Sequence, residues 1–109
     1  MTEEIKVQAN SGNIFADLGL DNSDELLVKA ELAYKISSII ASLGITQNEA
    51  AKLLGIEQPR MSALINGKLS GFSTVRLFRF LNSLGRDVEI VVKDKPKSRS
   101  QARMLVVTK

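Results

Sequence analysis

Between Thr46 and Gly67 the sequence carries two complete sets of helix start and stop signals, and no other feature limits the possible folds as sharply. Thr46, with Glu49 three residues on, has the spacing of a capping box, in which each side chain takes up an orphan amide of the first turn. Ala50, Ala51, Leu53 and Leu54 follow as apolar positions, and Gly55 supplies the left-handed stop. After a turn through Gly55, Ile56 and Glu57, a second helix opens with Gln58 and Pro59, since proline is tolerated only in a first turn, where no amide is needed. Asn66 and Gly67 close it. Two short helices joined by a tight glycine turn and flanked by longer helices describe a helix-turn-helix, a unit that lays one helix in a DNA groove and the other across the phosphates.

The flanks fit that arrangement. Asn22 and Glu25, with Asp24 between them, form a helix start, and Leu32, Ile36, Ile39, Ile40 and Leu43 recur at spacings of three and four before Gly44. The spacing predicts a long helix from about Ser23 to Leu43. Ser73 caps a further helix, with Phe72 and Leu77 at the spacing of a hydrophobic staple and Leu77, Phe78, Leu81 and Leu84 as its apolar stripe before Gly85. Beyond it the period changes. Val88, Ile90 and Val92 alternate with Glu89, Val91 and Lys93 as in a strand, whose edge requires a partner: the arm at Ile5 and Val7, the run Met104 to Val107, or a second copy of the chain. The stretch Lys95-Pro-Lys-Ser-Arg-Ser100 reads as a mobile linker. The expected organisation is therefore an irregular amino-terminal arm over 1–22, a helical domain with its terminal strand over 23–93, and a basic tail over 94–109.

Composition narrows the function classes. The 109 residues include no cysteine and no histidine, which excludes disulfides, zinc fingers and imidazole or thiol catalysis. No pair of acids, glycine-rich phosphate loop or Ser-Lys spacing suggests a catalytic site, so the expectation is a protein that is not an enzyme and has no metal, cofactor or small-molecule substrate. Met1 is followed by Thr2, Glu3 and Glu4 rather than by a basic and then an apolar stretch, which predicts a cytoplasmic chain without signal peptide or membrane span. Charge is unevenly spread. Residues 1–34 hold seven acids and two bases, 35–92 seven bases and four acids, and 93–109 six bases and one acid. A basic middle and tail suit a polyanion, because each phosphate neutralised by Lys or Arg releases condensed counterions. The tail lacks the interleaved aromatic residues that stack on single-stranded bases, which weighs against RNA.

On a helix starting near Gln58, the positions not needed for packing are Pro59, Arg60, Ser62, Ala63 and Asn66, a face with no carboxylate. Gln58 at its tip has the chemistry to pair with an adenine, Arg60 to grip guanine or phosphate, and Pro59 and Ala63 to touch thymine methyls; Ser62 completes the base-facing set. Leu54, Ile56, Met61, Leu64 and Ile65 are expected beneath the two helices, with Ala51 small where they cross.

Residues 46–67 resemble the Cro/phage-repressor (Xre) helix-turn-helix at Thr46, Gln47, Glu49, Ala51, Leu54, Gly55, Gln58, Ser62, Leu64, Asn66 and Gly67. The resemblance implies a mainly α, lambda-repressor-like bundle of about four to five helices, here with a short C-terminal β-strand, and gives Gln47, Asn66 and Lys68 the look of phosphate clamps on double-stranded operator DNA. Ser11 to Leu20, Lys29 to Leu32 and Phe72 to Val92 are further similar to small antitoxins of the HigA type, so that the likeness spans about residues 10 to 93. It implies a homodimer that represses its own operon and neutralises a co-encoded RNase toxin of the RelE/HigB class, and the acidic arm suits contact with such a basic partner, with Phe15, Asp17 and Leu18 as candidate toxin contacts. The alternative is a free-standing Xre-family repressor without a toxin.

Overall fold

A computed structural model describes residues 23–108. Four helices occupy them in order: α1 (Ser23–Leu43), α2 (Gln47–Leu54), α3 (Gln58–Ile65) and α4 (Thr74–Ser83). All four expected helices form within a residue of the limits that the sequence signals set. The cap proposed at Asn22 lies outside the described residues. Local chemistry accounts for the short helices. The Glu49 amide donates to Thr46 Oγ1 at 3.1 Å and the Thr46 amide to Glu49 Oε1 at 2.8 Å, so the capping box is complete. Gly55 turns the chain out of α2 at φ 73°, in the left-handed region where a Cβ is costly. Ser73 Oγ accepts from the Arg76 amide at 3.0 Å and starts α4.

The helices pack around one core. α2 lies on α3 and α4, and α1 closes over α3 and α4. Leu32, Ile36, Ile39 and Ile40 of α1 are buried together with Ala50, Ala51 and Leu54 of α2, Met61 and Leu64 of α3, and Leu77, Phe80 and Leu81 of α4; Phe72 and Leu84 seal the two ends of α4. Ala50 and Ala51 leave room for the close crossing of the two short helices, as their small size requires. Ile56 and Ile65 are only partly buried, at the margin of the core.

Two core expectations need correction. Leu43, one turn beyond Ile40, lies past the packed stretch of α1 and is 51% exposed. On α4 the buried stripe is Leu77, Phe80, Leu81 and Leu84, at the three-and-four spacing of a single helix face, and Phe78 falls at the edge of that face, partly buried. Phe80 thus takes the buried place expected for Phe78.

The strand expected over Val88 to Val92 does not form among the described residues, and neither does a ladder with Met104 to Val107. Instead the Met104 amide donates to Asp24 Oδ2 at 3.3 Å, and Val106 packs at the margin of the core, so the end of the chain returns to α1. A single extended segment has no ladder without a second one beside it, and among the described residues the run Met104 to Val107 is held against α1 instead. Ile90, Val91 and Val92 are left exposed. Among the described residues no helix is long and apolar enough to cross a membrane.

Candidate nucleic-acid interface

α2 and α3 begin side by side. Thr46 fixes the first turn of α2 and thereby the direction of Gln47; Pro59, in the first turn of α3, leaves Gln58 projecting from the tip of that helix. Gln58 Nε2 donates to Gln47 Oε1 at 3.0 Å, joining two exposed residues eleven positions apart. The bond orients both amides. Gln58 retains Oε1 and its second Nε2 hydrogen, the pair that adenine N6 and N7 require, and Gln47 retains both of its own Nε2 hydrogens, which suit a phosphate oxygen. The residue expected to read a base and the residue expected to hold the backbone are thus one hydrogen-bonded unit. Both residues are legible in the sequence, but the link between them is not, because it joins positions eleven residues apart on two helices.

The far end of α3 is closed by its own backbone. The Asn66 amide donates to Ser62 O at 3.0 Å, the Gly67 amide to Leu64 O at 3.2 Å and the Lys68 amide to Ala63 O at 2.9 Å, with Gly67 at φ 76°. This turn fixes Asn66 and Lys68 on the exposed side, and Asn66 Nδ2 reaches Ser62 Oγ at 3.4 Å. Met61 and Leu64 face inward, so Gln58, Pro59, Arg60, Asn66 and Lys68 are exposed while Ser62 is half-buried. Ala63 departs from its expected place among positions free of packing: it is partly buried against the core, because the side of α3 toward Leu64 carries it inward.

Arg60, though exposed, folds back onto the loop before α4. Its Nη2 donates to Gly71 O at 3.0 Å, and its guanidinium carbon lies 4.4 Å from the centre of the Phe72 ring. The Phe72 ring meets Phe80 edge to face, 6.0 Å between centroids at 73°, and the Arg76 guanidinium carbon lies 5.5 Å from the Phe80 ring centre. Arg76 and Phe80, one helical turn apart on α4, form a pair that helical spacing makes visible in a sequence. Arg60 on Phe72 has no such local signal. Phe15, Asp17 and Leu18 lie outside the described residues.

The side chains brought together are amides, a hydroxyl and Lys or Arg groups, with no carboxylate among the positions assigned to DNA. Such a set donates hydrogen bonds and opposes no phosphate. The described geometry agrees with comparison to known proteins. Residues 14–93 match the family model described as a helix-turn-helix domain. A solved protein assigned to the XRE-family transcriptional regulators superimposes with a TM-score of 0.78 at 46% sequence identity, over 81% of this chain and 99% of that one. No curated protein matches. The chain belongs to the helix-turn-helix domain family, in its XRE-like group of DNA-binding transcriptional regulators.

Proposed function

We propose that this protein is a sequence-specific repressor that binds operator DNA as a homodimer. The observation that carries the reading is the Gln47–Gln58 hydrogen bond at the paired starts of α2 and α3, which leaves complementary groups for a base and for a phosphate. Gln58, Pro59 and Ser62 then face base edges in the major groove, while Gln47, Asn66 and Lys68 hold the flanking phosphates. A single helix of this length reads only a few base pairs, so specific binding calls for two half-sites about one turn of DNA apart, roughly 34 Å. The exposed Ile90, Val91 and Val92, which pair with no other strand among the described residues, are the proposed seam.

Selection from random duplexes tests the reading. The expected product is a palindrome or near-palindrome, and recovery of no preferred sequence overturns it. Light scattering of the complex tests the dimer, which requires the mass of the duplex plus twice the chain mass of 11.9 kDa. Lys68→Ala is expected to weaken binding to specific and random DNA alike and to lower the slope of log affinity against log salt by about one. A loss confined to one sequence would make Lys68 a base reader instead.

A second activity, neutralisation of a basic RNase toxin, is favoured by the seven acids against two bases in residues 1–34, a balance unsuited to phosphate. Phe15, Asp17 and Leu18 are the residues proposed to make that contact. Removal of residues 1–20 is expected to abolish protection against the toxin encoded beside this gene and to leave operator binding in place. Full protection by the shortened chain would place the contact elsewhere, on the later helices or the basic tail, and the absence of such a neighbour leaves the free-standing repressor.

A further inference from the structure

Arg60 carries the most chemistry of any side chain on the recognition helix, and its surroundings do not suit a group that reads bases. Its Nη2 hydrogen bond to the Gly71 carbonyl spans eleven residues, from the first turn of α3 to the end of the loop before α4. The carbon of the same guanidinium lies 4.4 Å from the Phe72 ring centre, and the group packs close to Gly71, where a Cβ would meet Arg60 Nη1 at 3.5 Å, an ordinary contact distance. Phe72 is itself fixed, 2% exposed and edge to face with Phe80, over which the Arg76 guanidinium lies. Arg60 is therefore one end of a ladder, Arg60–Phe72–Phe80–Arg76, that ties the recognition helix to the start of α4.

What the ladder encloses is the loop with the proposed phosphate-holding groups. Asn66 and Lys68 stand between the two points that Arg60 connects, α3 on one side and Gly71 on the other. Building on the proposed operator binding, we infer that Arg60 is a positioning residue rather than a base reader: it sets the spacing between the tip of α3, where Gln58 meets a base, and the loop 66–72, which meets the phosphates. A guanidinium suits this task better than an ammonium, because its plane stacks on a ring while its edge donates in a fixed direction. A loop held in place before binding spares the ordering cost at the moment of contact.

Arg60→Gln separates the two roles, with Arg79→Gln, the same change of charge at an exposed site on α4, as the control. In the free protein, amide hydrogen exchange is read at Lys68 and Phe72, whose amides donate to Ala63 O and Leu69 O. Arg60→Gln is expected to speed exchange there and Arg79→Gln to leave it unchanged. On DNA, Arg60→Gln is expected to weaken binding roughly 5- to 30-fold, the combined scale of one hydrogen bond and one exposed cation–π contact, with base preference unchanged at every position and the salt slope retained. Three results overturn the inference: a changed preference at a single base position, which makes Arg60 a reader; a salt slope reduced by about one, which makes it a phosphate contact; or unchanged exchange at Lys68 and Phe72. The exchange measurement needs no DNA, so a wild-type protein that selects no sequence overturns operator binding separately from the tie between Arg60 and the loop.

Discussion

Met61→Ala is expected to cost about 2 to 5 kcal/mol of stability, the range for truncating a large buried aliphatic side chain. For a domain of this size that is a fall in Tm of roughly 10 to 30 °C. Met61 is fully buried on the inner face of α3 and belongs to the same core as Ala50, Ala51 and Leu54 of α2 and Ile36 of α1. Its loss opens a cavity beneath the recognition helix. A domain with about 5 to 15 kcal/mol in total has little reserve against such a change, and operator binding should fall with the folded fraction. Leu53→Ala supplies the contrast: Leu53 is 46% exposed on α2, and its truncation should stay within about 0.5 kcal/mol. Thermal unfolding of the two variants checks both figures. A loss under about 1 kcal/mol for Met61→Ala would mean that α3 is not seated on the core as described.

Gln58→Ala is expected to weaken binding to the selected operator by about 1 to 3 kcal/mol, the scale of one paired contact to a base, and to leave Tm and binding to random DNA nearly unchanged. The side chain is exposed at the tip of α3 and supports no packing. Its hydrogen bond to Gln47 gives a second, sharper expectation. Gln47→Ala removes a phosphate contact and also releases the Gln58 amide, so the two substitutions together should cost less than the sum of their separate effects. Full additivity would show that the pair does not act as a unit. Equal losses on operator and random DNA for Gln58→Ala would show that it reads no base.

Sequence alone determined the helices, because the signals that start and stop them act over three or four residues. The Thr46–Glu49 box, the glycine after Leu54, the proline behind Gln58 and the Ser73 cap each settle their own turn of backbone whatever surrounds them. Faces were legible where the period was strong, as along α1 from Leu32 to Ile40, and less so on α4, where two phenylalanines two residues apart compete and only the packed neighbours show that Phe80 is the one enclosed. The residues facing DNA were nameable from helix geometry, but their states were not. Whether Gln58 stands alone or bonded to Gln47, and whether Arg60 reaches outward or folds onto Gly71 and Phe72, depends on groups eleven or twelve positions away that meet only when α2, α3 and α4 are packed. The segment Val88 to Val92 has the alternation of a strand and is not one here, since alternation is a property of the segment and a ladder is a property of two.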